Sequence, residues 1–419
     1  MNDFNYLEHE LWCEQVPVRA IAEKVGTPFY LYSYRTLKNH FHVFDQAFAE
    51  IPHIICFAAK SNSNIAILRI FIAEGGGVDI VSGGELYRAI QAGVDPRKVV
   101  YSGVGKRLDE IEYALKAGIL MFNVESFQEL AEIHTCAQRL GRKAGIALRV
   151  NPDVDPQTHP YISTGLKENK FGVNIEKSIE AYREARKMPW LDIRGVSCHI
   201  GSQVTKISPF VDALDRLKKL IHLLRKEGID IRYLDLGGGL GITYNEEQPP
   251  HPVEYAKAVI GATKGMGCTL IFEPGRVIVG NAGILVTKVL YTKTNEEKNF
   301  VIVDAGMNDL IRPSLYNSYH QIQPVVKQKR KTVQADIVGP ICESGDYLAK
   351  GRDLPEFERG ELVAVMSAGA YGFTMSSNYN SRPRVAEVLV KGSRSYVIRR
   401  REMYSDIVKG EKIPIFLKS

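Results

Sequence analysis

From about Pro52 onward, short strand-like runs alternate with helix-like stretches, and no other feature restricts the fold of this chain as much. The candidate strands are His53 to Phe57, Gly77 to Val81, Lys98 to Ser102, Ile119 to Asn123, Lys143 to Val150, Arg194 to His199, Ile231 to Leu236 and Cys268 to Glu273, eight in all. Amphipathic intervals separate most of them. In the clearest, Phe210, Leu214, Leu217, Ile221 and Leu224 recur at three- or four-residue spacing on one helical face. Eight strands with intervening helices fit an α/β fold of the closed (β/α)8 TIM-like barrel kind, with a doubly wound open sheet as the alternative. The polar residues favour the barrel: Lys60, Asp79, Asn151, His199, Gly237 to Gly239 and Glu273 each fall where a strand ends. In a barrel those ends meet at one mouth, whereas an open sheet spreads them along an edge.

After Gly275 the pattern changes to β-rich runs with few helical intervals: Val277 to Tyr291, Asn299 to Asp304, Thr332 to Val338, Leu362 to Ala368 and Arg384 to Val390. The expected organisation is a barrel over residues 33–275 and an all-β C-terminal domain over 276–419, joined by residues 1–32, which return to pack on it. The stretch from Asn151 to Asn174, with Pro152, Pro156 and Pro160, reads as a functional loop over the barrel mouth. A net charge of +6, from 54 basic and 48 acidic residues without any block of like charge, argues against nucleic acid as a partner. Six widely spaced cysteines, with no CxxC pair and no histidine at metal-ligand spacing, read as reduced thiols and exclude a structural metal site. Neither a membrane-length apolar run nor a signal-peptide pattern is present, so the expected location is the cytoplasm.

The chemistry starts with Lys60. An ammonium at the end of a buried strand is costly, so such a lysine is salt-bridged, deprotonated or covalently joined to a ligand as an imine. Gly237-Gly238-Gly239-Leu240-Gly241 follows a strand and can close its backbone N–H groups around a phosphate, but a tight turn has the same composition. The glycine spacing is not that of a dinucleotide site, and the Walker lysine and hydroxyl are missing. Glu273-Pro274-Gly275-Arg276 reads alone as a surface turn with a local ion pair. On a buried strand, however, the carboxylate requires a charged partner, and a protonated pyridine nitrogen would serve. His199 alone reads as a core histidine; beside the same mouth as Lys60 its flat ring can stack on another, and Ser202 can donate to a phosphate. A lysine for an imine, a carboxylate for a ring nitrogen, a stacking histidine and a glycine cradle together describe a pyridoxal 5'-phosphate site.

With these motifs in view, the chain resembles the alanine racemase-like (fold type III) pyridoxal phosphate enzymes and, within them, the diaminopimelate decarboxylase family over essentially its full length. The resemblance rests on Phe57 to Asn62, His199 to Ser202, Gly237 to Gly241, Glu273 to Arg276, Arg312-Pro313-Ser314-Leu315-Tyr316, Gly339 to Asp346 and Ala370-Tyr371-Gly372. It implies decarboxylation of meso-2,6-diaminopimelate to L-lysine and carbon dioxide in a homodimer with shared active sites. Cofactor contacts would come from Lys60, Asp79, His199, Ser202, Gly238, Gly239, Glu273, Gly275, Arg276 and Tyr371. Substrate would be bound by Arg276, Arg312, Tyr316, Glu343 and Tyr371. In the family the Cys342-to-Asp346 segment comes from the partner subunit and its cysteine donates the proton, although composition alone reads it as a polar turn with a buried cysteine. Asp79 would orient Lys60 or His199, and Tyr161 to Gly172 resembles the family's flexible segment near the site. The open alternatives are a decarboxylase of the same fold acting on ornithine, arginine or carboxynorspermidine, an amino-acid racemase, and a non-enzymatic pyridoxal phosphate carrier. The β-rich C-terminal part speaks against the carrier.

Overall fold

Within the segment Leu37–Gly280, eight short parallel strands close on themselves. In chain order they are β1 (His53–Ala58), β2 (Gly77–Ile80), β3 (Val99–Tyr101), β4 (Met121–Val124), β5 (Ala144–Asn151), β6 (Leu191–Ser197), β7 (Tyr233–Asp235) and β8 (Thr269–Phe272). Each pairs with the next, and β8 returns to β1 in the register Leu270↔His53, Ile271↔Ile54 and Phe272↔Ile55, which rules out the open sheet. Every residue of β2, β4 and β5 is buried, as expected where helices cover the outside and side chains fill the inside. Cys56, Val100, Leu120, Met121, Ala147 and Ile271 form one of these packed clusters.

The computed structural model describes residues 2–155, 170–296 and 298–417. The sequence-marked helix spans Ser208–Lys226 and buries Phe210, Leu214, Leu217, Ile221 and Leu224 together with Ala213 and Leu220. At ~1.5 to 3 kcal/mol for each large apolar side chain fully buried, that stripe outweighs the weak propensity of the segment. Outside the barrel, Phe48 packs on Phe272 with ring centroids 4.0 Å apart, and Phe210 meets Tyr255 at 4.8 Å. Side-chain caps start the helices after β2 and β4: Ser82 accepts from the Glu85 amide and Ser126 from the Glu129 amide. Of the loop expected between Asn151 and Asn174, residues 156–169 lie outside the described residues, as does most of the Tyr161-to-Gly172 segment. On its far side Val173–Asn174 pairs in parallel with Val150 and Asn151 of β5.

The second unit comprises Met1–Thr36 and Asn281–Ser419. Its spine is the strand Gly283–Asn295, antiparallel to Lys298–Val303, to Leu362–Val365 and to the N-terminal strand Phe29–Ser33. Phe29–Ser33 also pairs in parallel with Ala386–Lys391, so a piece of the N-terminus is an interior strand of the C-terminal sheet. Phe29, Leu31, Ile284, Val286, Ala364, Val388 and Val390 share the core beneath it. The strand expected from Val277 begins later, because Arg276–Val279 is a short helix. Among the strands not foreseen, Tyr347–Pro355 and Arg394–Arg399 pair with Thr332–Val338 and Ala386–Lys391.

Candidate active site

Lys60 lies in a single 3-10 turn, Ala59–Ser61, directly beyond β1. The neighbouring strand carries Asp79 opposite Ala58, and the Lys60 Nζ donates to Asp79 Oδ2 in an ion pair. Asp79 is fully buried, and its Oδ1 has no partner among the described residues. Lys60 thus has an anionic partner on the adjacent strand. That partner fixes the amine at the strand end, since separating the pair leaves an uncompensated buried charge. The ends of β1 and β8 are pressed together: the Ala58 amide donates to Pro274 O, and a Cβ at Gly275 would lie 2.9 Å from Ser61 Cβ.

Glu273 follows β8 and is buried with Asp235, the last residue of β7. Asn123 Nδ2, from β4, lies 2.7 Å from Asp235 Oδ2 and 3.2 Å from Glu273 Oε1. Ser102 Oγ donates to Glu273 Oε1 at 3.1 Å, and the Gly237 amide donates to Asp235 Oδ1 at 2.9 Å. Burial pushes the Glu273 carboxyl well above its ordinary range, and the negative charges of Asp235 and Asp79 push it further. Asp235 is raised by burial to about 6, held from going higher by the Gly237 amide and Asn123. Both carboxyls of the pair thus resist ionisation, Glu273 the more strongly.

After β6 comes His199, half-buried, its imidazole kept neutral first by burial and then by the nearby Arg149 guanidinium and Lys60. Arg149 is itself paired with Glu125 at 2.9 Å. The glycine run packs against this segment. Gly237 has φ +65°, and a Cβ there would lie 2.9 Å from both Cys198 O and His199 Cδ2; one at Gly238 would lie 2.3 Å from Glu273 O. Only glycine lets the chain pass between the two strand ends. Among the described residues, no carbonyl or side chain receives the Gly238 and Gly239 amides. Close by in the chain of contacts, Arg276 Nη2 donates to Ser202 Oγ at 3.0 Å and Nη1 to Tyr244 Oη at 2.6 Å, so its guanidinium is held beside Ser202.

A second group of the expected residues lies in the β unit. Arg312, almost fully buried, opens the helix Arg312–Tyr316. Ser314 Oγ of that helix donates to Gly345 O at 2.6 Å, which ties it to the turn carrying Cys342 and Glu343. Asp346 shapes this turn by accepting the Ile341 amide at 2.7 Å and the Met307 amide at 2.6 Å. Cys342 is exposed, not buried as its composition suggested, and its amide donates to Asn380 Oδ1 at 2.7 Å. Glu343 is also exposed; Tyr316 and Tyr371 are half-buried, Tyr371 with φ +55°. Sequence reading passed over Ser102, Asn123, Arg149 and Asp235, although a polar residue inside an otherwise apolar strand was a legible sign of each.

What the barrel side chains can hold in common is a flat phosphorylated aldehyde with a basic ring nitrogen. An amine, a buried carboxyl, an imidazole and two unclaimed amides beside an arginine suit its four parts, so fold and site define a barrel enzyme of the pyridoxal phosphate class. Residues 34–280 match the model of the pyridoxal binding domain of pyridoxal-dependent decarboxylases. Proteins named diaminopimelate decarboxylase from Vibrio cholerae (53% identical over 409 residues, 97% of this chain and 98% of that one) and Pseudomonas aeruginosa (52% over 413 residues, 99% of each) are similar along their whole length. The solved diaminopimelate decarboxylase of Helicobacter pylori, complexed with L-lysine, superposes with a TM-score of 0.91 at 45% identity, covering 93% of this chain and 98% of that one. The chain belongs to the pyridoxal-dependent decarboxylases, among the diaminopimelate decarboxylases.

Proposed function

We propose that this chain removes one carboxylate of meso-2,6-diaminopimelate as carbon dioxide and releases L-lysine, the last step of lysine biosynthesis, using pyridoxal 5'-phosphate. The observation that carries the reading is the Lys60–Asp79 pair at the mouth of a barrel that also buries Glu273, in a chain about half identical to the named decarboxylases. In this reading Lys60 holds the cofactor's aldehyde carbon, Glu273 its ring nitrogen and His199 its ring face. Gly238, Gly239, Ser202, Gly275 and Arg276 take its phosphate, with Tyr371 as a further contact. When bound, the cofactor supplies a conjugated ring that takes up the electron pair left by the departing carboxylate.

The protein contributes position and protons. Asp79 holds the Lys60 amine at the strand end, and Glu273, whose burial disfavours its anion, would face the ring nitrogen and share a proton with it. Arg276, Arg312, Tyr316, Tyr371 and Glu343 bind the substrate, and the Cys342 thiol returns a proton to the carbon that has lost its carboxylate. Family resemblance assigns Cys342 and Glu343 to the site of a partner subunit, so the working unit is a homodimer. A cytoplasmic location accords with six free thiols and, among the described residues, no helix long and apolar enough to cross a membrane.

Arginines that read a distal carboxylate set the specificity. A substrate without that carboxylate forfeits a charge-assisted hydrogen bond worth ~1.5 to 3 kcal/mol, a discrimination of ~10-fold or more against lysine and ornithine. The test is to measure carbon dioxide and L-lysine from meso-diaminopimelate with and without added pyridoxal phosphate, alongside ornithine, arginine and carboxynorspermidine. Faster turnover of any of these three sinks the substrate assignment. Lys60→Ala is expected to abolish turnover and borohydride fixation of the cofactor together; a reducible lysine adduct surviving in that variant refutes the role of Lys60.

A further inference from the structure

We propose that His320 is a positioning residue, locked as one neutral tautomer, that aims the Arg312 guanidinium at a carboxylate of the substrate. The ring is fully buried, with Nδ1 at 2.8 Å from Met366 O and Nε2 at 2.9 Å from Arg312 Nη1. A carbonyl oxygen can only accept and a guanidinium can only donate. Nδ1 therefore carries the hydrogen and Nε2 is bare. Any other protonation state sets an N–H against an N–H of Arg312, or a lone pair against the Met366 carbonyl.

The carbonyl anchor of the ring is held by the sheet. The Met366 amide donates to Gln321 O at 2.9 Å, next to the antiparallel pairing of Ile322 with Val365, so the carbonyl partner directly follows one strand, Leu362–Val365, and His320 shortly precedes another, Ile322–Pro324. Arg312 sits on the preceding short helix, which Asn317 ends in a left-handed conformation at φ +50°, turning the chain back. His320 is thus a strut between the sheet and a long, flexible cation. An arginine side chain loses much rotamer entropy when it is fixed. Holding one terminal nitrogen, with Ser318 Oγ a weaker acceptor at 3.4 Å from Nη2, takes much of that loss before any ligand arrives.

The inference rests on the reading of Arg312 as a substrate contact, and the experiment separates the two. In the full-length, cofactor-saturated enzyme, KM and kcat for meso-diaminopimelate are measured for Arg312→Ala, His320→Leu, His320→Gln and the double variant Arg312→Ala/His320→Leu. His320→Leu is expected to raise KM by about tenfold, the equivalent of one net hydrogen bond to a charged group, with kcat changed far less and cofactor absorbance intact. His320→Gln, which offers both an acceptor and a donor, should recover most of that loss, and the double variant should be no worse than Arg312→Ala. An unchanged KM in His320→Leu beside a raised KM in Arg312→Ala overturns the positioning role and leaves the substrate reading standing. An unchanged KM in Arg312→Ala overturns both. If His320→Leu does not fold, long-range 1H–15N spectra of wild-type histidines decide: a bare Nδ1 or a doubly protonated ring at position 320 refutes the proposal.

Discussion

Two carboxyl groups at the barrel mouth, Glu273 and Asp235, are withdrawn from water and set against the same Asn123 amide, so ionising both is costly. An acid whose pKa is raised by folding binds its proton more tightly in the native state, and its contribution to stability falls as pH climbs. For Asp235 the loss runs from about 4, the ordinary aspartate value, through about 6 in the folded chain. Glu273 extends the decline to higher pH. Cofactor-free protein should therefore melt at progressively lower temperature between those limits, and Asp235→Asn should flatten that part of the profile by a few degrees per kcal/mol removed. Scanning calorimetry across the range checks this; an identical slope in the variant refutes it. Asp235 stood in plain view in Tyr233-Leu234-Asp235, yet its partner Glu273 is far away in sequence and only strand adjacency joins them.

The glycine turn after β7 shows how an element places a side chain of another. At Gly237 a methyl group would meet Cys198 O and the His199 ring at 2.9 Å, in a left-handed conformation that already costs a non-glycine residue ~1 to 2 kcal/mol. Gly237→Ala should lower the melting temperature and weaken pyridoxal phosphate binding by about tenfold or more as His199 is displaced. Equilibrium titration followed by cofactor absorbance reads the second effect, and unaltered affinity with an unaltered melting point would show that the turn has slack. The eight barrel strands were legible because they are apolar on both faces and bounded by glycine and polar residues. Tyr347–Pro355 was not: Lys350, Arg352 and Asp353 break its alternation, and Gly351 at φ +57° marks a register shift. Arg394–Arg399 was hidden for another reason, being an exposed edge with nothing to bury.

At the scale of the whole molecule, the proposed homodimer predicts that Cys342, exposed on the β unit, acts only beside the Lys60 of a partner subunit. Lys60→Ala and Cys342→Ala should each be inactive as pure dimers. Co-expressed, they should recover about a quarter of wild-type activity, because half of randomly mixed symmetric dimers carry one site with both residues intact. No recovery means that each site is built within one chain. The sequence pattern changes near Gly275, and the second unit resumes at Asn281. That Phe29–Ser33 would enter the C-terminal sheet between Gly283–Asn295 and Ala386–Lys391 was not visible, since a buried apolar pentapeptide fits many sheets equally well.

By itself the amino-acid order determined the count and sense of the barrel strands, the lysine at the end of the first of them and the motifs of the family, because periodicity and local turn chemistry are written along the chain. Only the tertiary structure decided that Asp79 holds Lys60, that Asp235 and Asn123 back Glu273, and that His320 grips Arg312. Those contacts join residues from separate elements, and a proton or a hydrogen bond has no address until folding excludes water and sets donor beside acceptor.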